Sequence, residues 1–319
     1  MLNCGIDFGS TNTMVSVYRP ADNRVDAILP YQSAQNPNIP SLASFREKKN
    51  IMEFGPNARR RIGKDGYRIF KAFKMLLTET DPDFLKERGF DGQFSPAKIA
   101  GDFLKDVVEN ALIREGETEV DHLVIGAPEI WFDKMSTIEG RTILRDICRQ
   151  IPQIHDVNKV QVVSEPAAAS AFFAYNYMSQ MNQAYDGNIL LIDYGGGTLD
   201  ITLTQVIPHE AEDGKQFMEI KVRERNGAGE INDGRIGNAG IAFIEGTVER
   251  AIRRALDIPA DEEIEADGDF LSASLEFENE LQGQTADIAA TFQTLDIDAI
   301  DELEEEEFCE VEYKDDTIQ

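Results

Sequence analysis

Residues Ile189 to Leu203 read ILLIDYGGGTLDITL, and the fold is decided by what that stretch is. An apolar strand ends on an ionisable Asp193, three glycines follow, Thr198 offers a hydroxyl, and Leu199 to Leu203 returns as a second strand. A carboxylate at the mouth of an apolar strand is costly to bury without a cation. Gly195, Gly196 and Gly197 can take positive φ and let a ligand touch the backbone. Read physically, this is a hairpin whose turn is a concave run of N–H groups. Such a run attracts phosphate, and an aspartate beside it can hold Mg2+ through water, because magnesium prefers oxygen ligands shared with phosphates. An ordinary glycine-rich hairpin with a capping aspartate fits the same letters.

A second copy of the pattern separates the two readings. Asn3 to Val17, NCGIDFGSTNTMVSV, has a short apolar strand, Asp7, a turn of Gly9, Ser10, Thr11 and Asn12, and an alternating strand. Two such hairpins facing each other clamp a polyphosphate from both sides, with Asp7 and Asp193 near one metal. That geometry needs two similar lobes with a cleft, and the copies start about one domain length apart.

Composition sets the outer limits. At 319 residues, 42% hydrophobic and 28% charged, the chain suits a soluble protein of two domains with proper cores. No apolar run is long enough to span a bilayer, and the first residues lack the charged and apolar regions of a secretion signal, so a cytoplasmic setting is expected. Cys4, Cys148 and Cys309 form no CxxC pair, and His122, His155 and His209 are scattered, which predicts reduced thiols and no zinc. The net charge of −28 is uneven: residues 257–319 hold 23 of the 59 acidic residues and a single basic one, Lys314. Neither part has the clustered basic face that nucleic acid requires, and the acidic tail repels phosphate backbones and anionic lipid. A solvated acidic face or a mobile segment accounts for it.

Along the chain, YQSAQNPNIPSLASF predicts an irregular crossing and then a short edge strand near Ser41 to Phe45. Lys74, in FKMLL, either reaches a terminal phosphate as a point charge or snorkels at the surface. Ser95 and Pro96 start a helix with Ile99, Phe103, Val107 and Ala111 on one face, and Gly116 ends it. HLVIGAP reads as a buried strand, Met135 to Arg149 as a helix, and Lys159 to Ser164 as a strand running into Glu165-Pro166. Glu165 either caps the helix that follows or, as a carboxylate at a strand end, completes the metal and water site. Phe217 to Arg225 is a further strand. Ile241 to Leu256 is a helix with Phe243, Ile244, Val248 and Ile252 on its apolar side, and NGAGEINDGRIGNAG between them is a glycine-rich turn or a plain loop. The alternation is that of a repeated α/β lobe.

In order, DFGSTNT with Asp7, Lys74 in FKMLL, Pro128 in VIGAP, Glu165 in VSEPAAAS and IDYGGGTLD with Asp193 to Asp200 resemble the nucleotide-binding domain of the DnaK-type heat-shock protein 70 chaperones. The resemblance covers roughly Met1 to Leu256. It implies an actin-like ATPase fold, ribonuclease H-like α/β with two lobes around a nucleotide cleft: residues 1–183 as lobe I, and 184–319 as part of lobe II with 257–319 its acidic upper subdomain. By the same likeness, Gly9, Ser10, Thr11, Asn12, Gly195, Gly196, Gly197 and Thr198 hold the phosphates of ATP or ADP. Asp7 and Asp193 hold Mg2+ through water, and Lys74, Glu165 and Asp200 position the attacking water. A J-domain co-chaperone, a nucleotide-exchange factor and a client protein are the implied partners.

The chain departs from that family at Gly237-Asn238-Ala239-Gly240, where acidic residues usually follow a glycine pair. It has no Lys or Arg between Arg254 and Lys314, so a helix through LSASLEFENELQG offers Glu276, Glu278 and Glu280 where the family grips adenosine with cations. CEVEYKDDTIQ resembles a strand of the upper subdomain. The family's second adenosine turn, linker and peptide-binding domain are not in the sequence, which reads as an N-terminal piece of a longer protein. A chaperone-type ATPase, a nucleotide-sensing or partner-binding relative without turnover, and another actin-like protein such as a kinase or filament former are the readings carried forward.

Overall fold

Alternating burial builds the first sheet. In β1 (Leu2–Phe8) the side chains of Leu2, Cys4, Ile6 and Phe8 are all buried, so one strand face forms core. It turns into β2 (Asn12–Arg19) as an antiparallel hairpin, and β3 (Arg24–Ile28) and the short β4 (Ile39–Pro40) pair with β2. The computed structural model describes residues 1–32, 36–132, 140–210, 216–228, 239–262, 264, 268–284 and 309–318.

The next segment forms a small separate sheet of β5 (Ala43–Arg46), β6 (Ile51–Phe54) and β7 (Tyr67–Phe70), with helix α1 (Gly55–Arg59) between the last two. Here the sequence expectation is corrected, because β5 is the middle strand with β6 on one side and β7 on the other. Pro40 lies outside β5, so every residue from Ala43 to Arg46 is free to pair on both sides.

After α2 (Pro82–Glu87), helix α3 (Pro96–Glu115) starts and stops where its signals lie. Ser95 Oγ accepts from the Lys98 N–H, and Gly116 ends the helix at φ 68°. Its apolar stripe is packed: Ile99, Phe103 and Val107 are fully buried, and the Phe103 ring meets Phe8 at 6.0 Å and Phe73 at 5.4 Å between centroids. Strand β8 (Val120–Ala127) then inserts parallel to β1, and after α4 (Gly140–Arg149) strand β9 (Val160–Ser164) adds parallel to β8. The sheet order is β3-β2-β1-β8-β9, a mixed sheet with helices packed on it, which is the α/β class expected. Residues 135–139 of the expected Met135 to Arg149 helix lie outside the described residues.

Helix α5 (Glu165–Met181) leaves β9 directly and packs on a second sheet, β10 (Gly187–Tyr194), β11 (Leu199–Glu210) and β12 (Gln216–Ala228). Ser170 Oγ and Thr204 Oγ1 lie 2.7 Å apart where helix meets sheet, a buried pair that satisfies both hydroxyls. The ILLIDYGGGTLDITL stretch is the hairpin it was read as, with Asp193 in register with Asp200.

The described chain falls into two compact units, residues 1–60 with 66–240, and 61–65 with 241–319. The second contains nearly all of α6 (Gly240–Ala255), α7 (Gly268–Gly283) and a hairpin of β13 (Val311–Tyr313) and β14 (Asp316–Ile318), around Val248, Ile252, Phe270, Val311 and Ile318. The C-terminal stretch is thus two short strands rather than one, because Lys314 takes a left-handed φ of 54° and reverses the chain. Ile244, Val248 and Ile252 are buried on α6 as expected, while Phe243 is 49% exposed. It sits next to Ile244 on the helix, about 100° away from it, and so leaves the stripe. Residues 285–308 of the acidic tail lie outside the described residues.

Candidate phosphate and metal site

Each hairpin brings one aspartate and one turn to the same place within the first unit. Asp7 is the penultimate residue of β1, and the turn after it is held from its carbonyl side. Ser41 donates from Oγ to Gly9 O at 2.7 Å and from its N–H to Thr11 O at 2.7 Å, and its Oγ lies 2.9 Å from Thr13 Oγ1. Ser41 is buried, and nothing in its local sequence marked it as support for the turn. In the second hairpin the Gly195 N–H donates to Thr198 O at 2.8 Å, the Gly240 N–H donates to Gly195 O at 3.0 Å, and Thr198 Oγ1 donates to Asp200 Oδ2 at 2.8 Å.

The two turns touch. A Cβ added at Gly196 would overlap Thr11 Cγ2, and one at Gly197 would overlap Met75 Sδ. At Gly196, which meets the short Thr11 side chain down to its Cβ, glycine is therefore required by space, whereas at Gly197 the obstacle is a flexible methionine. Positive φ, the sequence-based reason, is not used: none of Gly9, Gly195, Gly196 or Gly197 is left-handed. At Gly9 the obstacle to a side chain is the Asn12 carbonyl of its own turn.

Lys74 lies beside this junction and is a buried side chain, 4% exposed, which overturns the surface-lysine alternative. Its Nζ is 2.7 Å from Glu165 Oε1 and 5.8 Å from the centre of the Phe8 ring. A lysine left with so little exposed surface has lost most of its hydration, so its charge is met by a carboxylate. Just before it, buried Ala72 holds a left-handed φ of 53°, a strained conformation for a residue with a Cβ, in the bend that presents Lys74. Glu165 is not the helix cap. Ser164 is, accepting the Ala167 N–H at 3.3 Å, which leaves the Glu165 carboxylate for Lys74.

Glu165 reaches Lys74 by passing Gly126, where an added Cβ would lie 3.0 Å from Glu165 Cγ. In the sequence Gly126 is one letter of the buried strand HLVIGAP. The signal available was a glycine near the end of a strand interior, which marks close approach of another group.

Electrostatically the site is overloaded with negative charge. Asp7 is held above the usual carboxylate range first by loss of hydration, then by the neighbouring Glu165 charge, with Lys74 opposing and Asp193 adding to the rise. Asp193 is raised by loss of hydration, then by Glu165 and by Asp200 directly across the hairpin, again opposed by Lys74. Both aspartates open onto solvent at their strand ends, yet the surrounding protein strips part of their water shell. Oxygen donors that repel one another around one lysine suit a hard divalent cation together with phosphate. Among the described residues no three His, Cys, Asp or Glu side chains are grouped to hold a metal ion. Residues 237 and 238 of the third glycine turn lie outside the described residues, as does most of NGAGEINDGRIGNAG. No described helix is long and apolar enough to cross a membrane.

Residues 70–215 match the family described as Hsp70 protein. A chaperone protein DnaK of Nitrosopumilus maritimus (strain SCM1) is 25% identical over 202 residues, covering 63% of this chain and 29% of the relative. That of Metamycoplasma hominis is 28% identical over 206 residues, covering 63% of this chain and 30% of the relative. The chain thus spans less than a third of the length of these curated relatives. Among solved structures, a ParM filament from Clostridium botulinum aligns with 85% of this chain and 73% of its own, at TM-score 0.39 and 12% identity.

Proposed function

We propose, from the match of residues 70–215 to the Hsp70 family, that this chain's first unit binds ATP by its phosphates and hydrolyses it to ADP and phosphate. In this reading the chain is the nucleotide-binding part of a chaperone, with the actin-like two-lobed fold divided near residue 183. The observation that carries it is the contact of the two glycine turns at Thr11 and Gly196, with the Lys74–Glu165 pair beside them.

The chain's own residues divide the work. Gly9, Ser10, Thr11 and Asn12 on one side, and Gly195, Gly196, Gly197 and Thr198 on the other, orient the phosphates through backbone N–H and hydroxyl groups. Lys74, aimed by Glu165, meets developing negative charge at the terminal phosphate, and Glu165 with Asp200 orients the attacking water. Asp7 and Asp193 would hold magnesium, which would supply neutralisation of phosphate charge. Such a site works by positioning and electrostatics, with no covalent step asked of the protein. A J-domain co-chaperone, an exchange factor and a client bound through a further domain belong to the same reading.

A second reading has a specific observation behind it. With no Lys or Arg between Arg254 and Lys314, helix α7 offers acidic side chains where the family grips adenosine, which favours a nucleotide sensor or partner-binding relative with weak turnover. Phosphate release from MgATP by the purified full-length protein separates the two. Release abolished by Asp193→Asn supports the ATPase, whereas nucleotide binding without release supports the sensor. Absence of both binding and release overturns both readings.

A further inference from the structure

Glu129 follows Pro128 just beyond the end of β8 and opens a turn that the Trp131 N–H closes by donating to Pro128 O at 3.0 Å. Its carboxylate accepts a hydrogen bond from Ser164 Oγ. Ser164 is 8% exposed, is the last residue of β9, and is paired in register with Ala127 of β8. It is also the N-cap of α5, its Oγ accepting the Ala167 N–H at 3.3 Å.

A serine hydroxyl has one proton to give and two lone pairs to offer. Giving the proton to a carboxylate polarises the oxygen and strengthens what it accepts, so Glu129 reinforces the cap on α5. Glu165 is the first residue of that helix, and the cap therefore fixes the backbone from which its side chain runs past Gly126 to Lys74. The Glu129 carbonyl meanwhile accepts from Arg225 Nη1 on β12 at 3.2 Å, tying the same residue to the second sheet.

We propose that Glu129 is a positioning residue for the Lys74–Glu165 pair: its carboxylate locks the Ser164 cap, and its backbone sets that helix start against β12. Its effect on turnover rests on the ATPase reading of Lys74 and Glu165, whereas its effect on the pair's geometry does not. The chemistry is local, with no group transferred and no proton lost.

The test compares E129A, E129Q and S164A in the full-length protein by two readouts. The first is the NMR signal of the Lys74 ammonium and its hydrogen exchange, which reports the ion pair whether or not ATP is hydrolysed. In E129A and S164A the Lys74 signal shifts and its exchange speeds up. E129Q, whose amide oxygen still accepts from Ser164, stays near the parent protein. The double variant E129A/S164A is no worse than either single change, because both break one link. The second readout is phosphate release: E129A lowers kcat about tenfold while KM for ATP holds within about twofold, as for loss of orientation rather than of binding. An unchanged Lys74 signal in folded E129A overturns the proposal. So does E129Q behaving like E129A. If the parent protein releases no phosphate, the ATPase reading fails, and the Lys74 signal alone decides the role of Glu129.

Discussion

Lys74 Nζ sits 2.7 Å from Glu165 Oε1, joining a buried lysine to the first residue of a helix 91 positions later in the chain. With Glu165 partly exposed, Lys74 is the more deeply buried member, so removing its partner strands a positive charge. Glu165→Ala is expected to lower unfolding free energy by about 2–3 kcal/mol, somewhat below the figure for a fully buried pair. Lys74→Met, which removes the charge and keeps the volume, is expected to cost less. Urea unfolding of both variants checks the order.

Asp7 and Asp193 stay protonated to higher pH in the folded protein than in the unfolded one. The folded state therefore binds more protons in that window. The stability each aspartate contributes is fully present below the ordinary carboxylate range, near pH 4, and is lost as pH rises through the raised value. Asp193→Asn is expected to raise the ligand-free Tm at pH 7 by about 2 °C, with the gain vanishing near pH 3. Thermal scans at the two pH values decide it, and an equal gain at both would rule out a charge origin.

Gly196 faces the Thr11 side chain with no room for a Cβ. Gly196→Ala is expected to push the turns apart, lowering stability by about 1–3 kcal/mol, the usual range for overpacking, and weakening MgATP binding. Thr11→Ala takes away the atoms in the way. The double variant is expected to recover a good part of the stability, giving a coupling of about 1 kcal/mol in a double-mutant cycle.

Gly126 leaves the space through which Glu165 reaches Lys74. Gly126→Ala is expected to displace Glu165 by a few tenths of an ångström and to lower phosphate release about tenfold with little change in KM. Steady-state kinetics on ATP would reveal the split. A change in KM alone would remove Gly126 from the site's support.

Phe103 is fully buried among the rings of Phe8 and Phe73, and Phe8 is the residue after Asp7. Phe103→Ala is expected to cost about 3–5 kcal/mol. Denaturant unfolding measures it, and a loss under 1 kcal/mol would mean the core collapses around the gap.

The hairpins, the strand-end aspartates and the limits of α3 were legible in the sequence because their causes are local. Alternation, a serine before a proline and a glycine after the last apolar turn each act within a few residues. The same locality explains the misreadings. Capping is one of two roles the sequence leaves open for Glu165, and the structure gives the cap to Ser164 and engages Glu165 with Lys74. Likewise the central place of β5 depends on β7, about 25 residues away, returning to its second edge.

By itself the sequence determined that two aspartate–glycine turns exist and that each is flanked by strands of the right period. Tertiary structure alone decided that the turns touch, that Lys74 is buried, and that Ser41, Gly126 and Glu129 support the site. The physical reason is distance along the chain. Whether a lysine is solvated or paired, and whether a glycine is needed for space, depends on atoms brought in from distant parts of the chain: Glu165 comes to Lys74 from 91 positions away, and β8 lies beside β1 although far from it in sequence.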